Sequence, residues 1–520
     1  MVSTHTPWIF GAGCLFAALF AYGLGANDVA NSFGTSIGSG ALTMGNAIAI
    51  ASVMEVLGAV TLGSGVADTL TKKISYLERE DCWDCSGQSN KMGVYELGMV
   101  CSLASGALFL ICATLFGLPV STTHTIVGAV LGMTVVATHA MCVKWLWPGL
   151  LKIVASWFVS PLLAGFLSVL LHGVIKRLVL KNSYPLRRAY VALPLLTGST
   201  IFVLVMLILY QGSTLPLWEV TVISFGVGLG FAALVQMFAI SRVKKSIEKA
   251  VEIKMQSFLG SKKKNVKHGN RGRAKRGNHS TSNGMLDSDQ SDPELQEEEE
   301  EEEEEEEREE EREEGESEVA VVLDEDEDGD EEECSNLIKE HETEAELETA
   351  KAKRVFMYLQ ILTATLKSFA HGANDVANAA GPIAAIQGLY FGGEETDCSI
   401  STSIWMLMLA GVGIVMGLSI SGHHVIKTIG KDLTAIDFPT GFSIELGSTL
   451  SVVLASCTGM PVSSTHCQVG SIICIGIYEN GAKHVKWSML NKIIASWLIT
   501  VPISAFVSGF MLWLILLIIQ

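Results

Sequence analysis

Gly25-Ala-Asn-Asp-Val-Ala-Asn31 recurs letter for letter as Gly372-Ala-Asn-Asp-Val-Ala-Asn378. Two further pairs follow in the same order. Pro119-Val-Ser-Thr-Thr-His124 is matched by Pro461-Val-Ser-Ser-Thr-His466, and Lys152-Ile-Val-Ala-Ser-Trp157 by Lys492-Ile-Ile-Ala-Ser-Trp497. The offsets, 347, 342 and 340 residues, barely drift. A fixed period of this kind marks a duplicated structural unit, so the chain reads as two copies of one module with a connector between them.

The composition says what kind of module. Of 520 residues 49% are hydrophobic and 18% charged, with a mean hydropathy of +0.38, whereas soluble domains carry about a quarter of their residues as charges. The segment from Ser241 to Arg354 alone holds 38 acidic and 19 basic residues, which accounts for the whole formal charge of −19; the rest has 17 of each. The acidity belongs to one connector. It says nothing of an acidic substrate, and no part of the chain reads as nucleic-acid binding.

Outside the connector, apolar stretches long enough to cross about 30 Å of hydrocarbon follow one another. They lie near Trp8–Leu24, Gly45–Leu70, Tyr95–Phe116, Pro119–Thr138, Trp147–Ile175, Tyr190–Tyr210 and Leu217–Ile240. After the connector come Val355–Tyr390, Ser403–Ile420, Ile444–Cys457, Pro461–Ile477 and Trp487–Ile519. The last is too long for one straight span, and Pro502 predicts a kink or break. The first lacks a basic leader and a small-residue cleavage site, so it reads as a retained span. The expected fold is an all-α polytopic membrane protein. Its parts are a first half over 1–240, a disordered cytoplasmic loop over 241–354 and a second half over 355–520. Lysines and arginines flanking the loop place it in the cytoplasm, and seven crossings before it put the N-terminus outside. Because an odd number of crossings separates the copies, the second enters from the opposite face, which makes an inverted repeat. Secondary transporters commonly have this architecture, with substrate near the midplane.

Asp287–Glu348 contains an almost uninterrupted glutamate run, and such a stretch cannot bury enough apolar area to order itself. Arg242–Arg276 is basic, and contact with anionic lipid is its functional alternative to a plain tether. Most cysteines sit in apolar runs as small hydrophobes. Cys82, Cys85 and Cys398 fall in loops assigned to the outside, where a disulfide is permitted; one Cys-x-x-Cys is too few ligands for a structural metal.

The repeated residues carry the chemistry. Asn27, Asp28, Asn374 and Asp375 lie within apolar segments beside glycines, and a carboxylate at membrane depth persists where it has a cation, a partner or a wet cavity. Glycine there predicts local unwinding that frees carbonyls, and carbonyl, carboxylate and amide oxygens suit a small hard cation. Pro119 and Pro461 precede Ser121-Thr122-Thr123 and Ser463-Ser464-Thr465, then an apolar helical run. Hydroxyl-capped half-helices starting there would aim N–H groups at one point and make an anion site; hydroxyls bonded back within a continuous helix are the plainer alternative. Asp28, Ser121 and His124 also permit a Ser/His/Asp hydrolase reading, although a duplicated triad has no mechanistic use. His124 and His466 read as bridges near the site. Glu55 and Glu445, in or beside apolar runs, are functional candidates that do not match in the repeat, and His423, His424 and Lys427 read as interfacial.

The two Gly-Ala-Asn-Asp-Val-Ala-Asn copies and the two Pro-Val-Ser-(Thr/Ser)-Thr-His copies resemble the inorganic phosphate transporter family, the PiT-type sodium-coupled symporters that include the eukaryotic type III carriers. The likeness covers residues 8–240 and 355–519, not the loop. It implies about twelve membrane helices in two inverted repeats with re-entrant or broken helices, termini outside and phosphate bound between the halves. It places phosphate on Asn27, Ser121, Thr122, Thr123, Asn374, Ser463, Ser464 and Thr465. Sodium falls on Asp28, Asn31, Asp375 and Asn378, and Glu55 and Glu445 are essential for uptake. The expected partners are inorganic phosphate, sodium and membrane lipid, with no nucleic acid, no cofactor and no metal besides transported sodium. Homodimer formation stays open, and the plasma membrane is the expected location. Proton-coupled and sulfate carriers of the same family remain alternatives. From other classes, so do the intramembrane hydrolase and a transport-dead phosphate sensor signalling through the acidic loop.

Overall fold

A computed structural model describes residues 7–63, 74–77, 79, 81–83, 91–147, 149–250, 331–391, 402–457 and 462–519. Among these the chain is helical, with one isolated bridge, Ser75 to Val143. The first half contributes α1 (Pro7–Asp28), α2 (Ala30–Gly38), α3 (Met44–Leu62), α4 (Lys91–Leu115), α5 (Thr122–Thr138), α6 (Leu150–Ile175), α7 (Pro185–Gly212) and α8 (Leu217–Leu234). The second contributes α9 (Glu331–Phe391), α10 (Ile404–Ser421), α11 (His423–Lys427), α12 (Phe438–Cys457), α13 (Ser464–Asn480) and α14 (Trp487–Ile519).

Nine helices among the described residues are long and apolar enough to cross a membrane. Adding α5, α9 and α13 brings the helical segments to the expected twelve, and the chain is a multi-pass integral membrane protein. Its large apolar side chains do not all turn inward. Phe158, Leu162 and Phe166 of α6, and Leu498 and Phe506 of α14, stand exposed, as they must where hydrocarbon rather than water is the solvent. At Pro502 the chain does not break: α14 continues through it as one helix of 33 residues.

The helices pair across the duplication. α1 packs on α10 and α4, α5 on α14, and α13 and α12 on α6. The motif glycines explain one of these approaches, α1 on α10, and a further one of α9 on α3. A Cβ on Gly25 would lie 1.8 Å from the Ile414 carbonyl oxygen, and one on Gly372 would lie 2.2 Å from that of Glu55. Only glycine lets the backbones come so close.

The glycines therefore serve contact and not the predicted unwinding. α1 is interrupted at Val29 alone, itself in the right-handed helical region (φ −67°, ψ −20°), and α9 runs unbroken through Asn374 and Asp375.

The compact membrane body comprises Met1–Glu248 and Leu347–Gln520; Lys249–Glu346 forms a separate unit. Val243, Ile247 and Ala352, expected in the loop, are buried with Val355, Phe356 and Phe442 in a common apolar cluster. Helical backbone is described from Glu331 onward; residues 251–330 lie outside the described set.

A disulfide joins Cys82 to Cys142, 60 residues apart, and ties the α3–α4 connection to the α5–α6 connection. Beside it Tyr76 N–H donates to Cys142 and Lys144 N–H to Ile74. Cys82 was expected to be bridgeable and is. Its partner Cys142 was not anticipated because it borders an apolar run, and Cys85 and Cys398 lie outside the described residues.

Candidate functional site

Ser121 and Ser463 sit in the same extended conformation, at φ −93°, ψ 118° and φ −90°, ψ 118°, and each caps the helix that follows. Ser121 Oγ accepts from His124 N–H at 3.2 Å and Ser463 Oγ from His466 N–H at 3.3 Å. The half-helix starts read from the sequence are present in both copies; Pro461 lies outside the described residues.

These two helix starts face the repeated carboxylates. Thr122, the first residue of α5, donates to Asp28 Oδ2 at 2.5 Å, and Ser464, the first of α13, donates to Asp375 Oδ2 at 3.0 Å. A positive helix end opposite a carboxylate is favourable, so each copy sets its own half-helix against its own aspartate.

The asparagines then cross over. Asn31 Nδ2 donates to Thr465 Oγ1 of the other copy at 2.9 Å, and Asn378 Nδ2 lies 3.4 Å from Thr123 Oγ1 and 3.3 Å from Thr122 Oγ1. Thr465 Oγ1 is also 2.6 Å from Asp28 Oδ1, which accepts from Asn31 at 3.0 Å. The groups read as phosphate ligands and those read as sodium ligands thus form one interlaced, buried cluster.

Asn27 and Asn374 differ. Asn27 is spent on the extended strand before α5. Its Nδ2 donates to Leu118 O at 2.9 Å and Thr114 Oγ1 at 3.2 Å, and its Oδ1 accepts from Val120 N–H at 2.9 Å. Asn374 keeps its buried Nδ2 without a partner, which leaves it free to donate.

His371 links the cluster to Glu55. Its Nδ1 is 2.9 Å from Glu55 and its Nε2 is 3.1 Å from Asp375 Oδ2. Glu55 also accepts from Ser368 at 2.8 Å. Ligand atoms of Asp28, His371 and Asp375 all lie within 4.8 Å of one another, a spacing at which one small cation can be shared.

Glu445 lies in a second pocket, where it accepts from Ser36 at 2.6 Å, Thr363 at 2.6 Å, Thr35 at 2.7 Å and Gln360 at 3.4 Å. Sequence reasoning missed these four. Thr35 and Ser36 follow Asp28 by seven and eight residues, two helical turns on the same face, and that spacing was the available signal.

The structure removes the hydrolase reading. His124 ring nitrogens have no hydrogen-bond partner. The ring instead lies 4.0 Å from Trp157 and 4.4 Å from His466, centroid to centroid, and His466 lies 3.8 Å from Trp497. With Ser121 capping its helix and Asp28 held by threonines, no Ser–His–Asp relay exists. The histidines form an aromatic row at the junction of the copies, edge to face with one another and each tilted against a tryptophan. His424 Nδ1 is 3.2 Å from Ser421 O at the end of α10.

The phosphate transporter family model matches residues 24–508. The chain is 30% identical to sodium-dependent phosphate transporter 2 of Felis catus over 96% of its own length and 97% of that protein's. It is 28% identical to the phosphate-repressible phosphate permease pho-4 of Neurospora crassa over 99% and 98%. A solved structure of a sodium-dependent phosphate transporter superposes with a TM-score of 0.72 at 27% identity, covering 98% of this chain and all of the other. A fold of paired half-helices around buried carboxylates, matched end to end by such relatives, identifies a carrier and not an enzyme: the chain belongs to the phosphate transporter family.

Proposed function

We propose that this chain is a secondary symporter that carries inorganic phosphate inward with sodium by alternating access. The reading rests on one observation. Two buried Asn-Asp pairs face two hydroxyl-capped helix starts, and each copy reaches into the other. Carboxylate oxygens at this spacing attract a small hard cation, whereas helix N-termini, hydroxyls and the spare Asn374 amide attract an oxyanion. Sodium would be held by Asp28, Asp375, Asn31 and Asn378. Phosphate would take the hydroxyls of Ser121, Thr122, Thr123, Ser463, Ser464 and Thr465, with Asn374 as a donor and Asn27 holding the strand beside them. Cation and anion in contact lower each other's cost, so each ligand tightens the other by the same factor. Glu55 and Glu445 act beside this cluster as groups required for uptake.

The membrane placement is part of the proposal. A disulfide persists on an oxidising side, and Cys82–Cys142 lies in the two connections assigned to the outside. That supports an external N-terminus, a cytoplasmic connector and residence in the plasma membrane. Lipid covers the exposed apolar side chains, and a homodimer would bury part of the same surface.

Radiolabelled phosphate uptake in cells lacking their own phosphate carriers tests the reading. Uptake should depend on sodium and be inhibited by arsenate but not sulfate. Inhibition by sulfate but not arsenate would make the cargo sulfate. Equal uptake in sodium and choline media would move the coupling to protons, with the Glu55–His371–Asp375 chain as their carrier. Deleting residues 287–330 should leave most uptake intact; phosphate binding with no uptake by the full chain would favour the transport-dead sensor.

A further inference from the structure

The two copies can be compared position by position at the offsets their motifs set. In the first, Phe20, Leu103, Gly106 and Ile126 make a buried apolar layer. Phe20 fills the space over Gly106, where an added Cβ would meet its ring at 2.4 Å. The matching positions of the second copy are Lys367, Glu445, Ser448 and Gln468. All four are buried. The contact is preserved while its chemistry changes: Lys367 Nζ donates to Ser448 Oγ at 2.9 Å and to Gln468 Oε1.

Among the described residues Lys367 is the single buried lysine or arginine. Its ammonium is held by neutral oxygens, and Ser448 also accepts nothing from Glu445 but donates toward its backbone carbonyl at 3.0 Å. One helical turn farther along α9 is His371, which touches Glu55 and Asp375. Glu445 begins the turn of α12 that carries Ser448. The Lys367 side chain thus lies one helical turn from His371 on α9 and bonds Ser448, one turn from Glu445 on α12, at a place where the first copy has a phenyl ring. Burying an ammonium is costly unless it answers negative charge nearby, and Asp28, Glu55, Asp375 and Glu445 are all buried.

We infer that the Lys367 ammonium is a built-in counter-cation for the second copy, occupying an oxygen-lined position that a sodium ion would otherwise fill, so that this chain binds one sodium fewer than it would with a neutral residue there. Ammonium and sodium call for the same ligands, oxygen lone pairs turned toward a single positive centre. Ser448 Oγ and Gln468 Oε1 already converge on that point. Lys367 is thus a residue that sets coupling and does not touch phosphate.

The inference rests on the sodium-symport reading and is tested by equilibrium binding of radiolabelled sodium to the purified full chain in detergent with saturating phosphate. Lys367→Met should bind one sodium more than wild type, Lys367→Arg the wild-type number, and Lys367→Met/Glu445→Gln, which removes both charges, again the wild-type number. If Lys367→Met does not accumulate, Lys367→Gln takes its place, since its amide can still bond Ser448 and Gln468. In proteoliposomes the sodium-to-phosphate influx ratio of the neutral variant should rise by one. An unchanged sodium number in Lys367→Met or Lys367→Gln overturns the inference. Absence of sodium binding by the wild type overturns the symport reading instead.

Discussion

Asp28 and Asp375 stand at the same place in the same seven-letter motif, yet they keep different company. Asp28 is held by Thr122 of its own copy, Thr465 of the other and Asn31, neutral donors all. Asp375 has Ser464 and His371. The first-copy counterparts of His371 and Lys367 are Leu24 and Phe20, and Ile414 stands against Gly25 where Glu55 stands against Gly372. The motif fixes backbone approach and carboxylate position equally in both copies. The direct ion pair with His371 is made by one aspartate alone, so the pair is symmetric in backbone geometry and asymmetric in contacts.

The geometric half of that comparison is the easiest to break. Gly25→Val and Gly372→Val should each abolish folded protein, since both place a side chain inside opposing backbone; a monodisperse peak for either on size-exclusion chromatography would refute the close contact. Asp28→Asn and Asp375→Asn should each cut phosphate uptake at least tenfold. Melting temperature should separate them: a hydrogen bond to a charged group contributes about 1.5–3 kcal/mol, and Asp28 accepts three, from Thr122, Thr465 and Asn31, where Asp375 accepts one, from Ser464, beside its ion pair with His371. Equal destabilisation would make the difference in company irrelevant. Cys82→Ser loosens a 60-residue loop in the first copy alone, which in the chain-entropy account removes about 4 kcal/mol; a melting temperature unmoved by the change or by reductant would contradict it. His371→Gln keeps one donor for Glu55 but ends the link to Asp375, and uptake should fall about tenfold, equivalent to about 1.4 kcal/mol. Full uptake with an unaltered pH profile would remove His371 from the transport machinery.

The smallest effect lies at the edge of the second copy. Burial pushes the Asp437 carboxyl up, but Thr440 N–H, at 3.0 Å, and Lys353 outweigh it and hold it below the ordinary carboxylate range. Asp437 and Thr440 also cap α12 reciprocally. Asparagine keeps the cap and loses the half-exposed ion pair, so Asp437→Asn should cost at most about 1 kcal/mol at neutral pH. A depressed carboxyl stabilises above its unfolded-state pKa and loses that contribution as pH falls through its folded-state value. Wild type and variant should therefore melt together in acid and diverge toward neutrality.

Spans, duplication and capped half-helices could be read from the sequence because each is local: apolar run length, repeated letters and Ser before an apolar helix. The partners of those residues could not. Thr465 reaches Asp28 across 437 positions, and Glu445 takes Thr35 across 410; no spacing rule links such pairs. Local reasoning also misread the glycines at 25 and 372. Helix breaking and close helix contact both favour a missing side chain, and only the neighbouring backbone of Ile414 and Glu55 decides between them. Lys367 could be seen as a charge in an apolar run, but its meaning came from Phe20 standing at the matching position.

The crossed asparagines have a consequence for origins. Asn31 finds its threonine in the second copy and Asn378 finds its own in the first, so a gene encoding one module would yield half of each constellation. Such a precursor had to meet a second copy of itself before any fusion event. The two moieties, expressed today as separate polypeptides, would be expected to reconstitute each other and to do nothing alone.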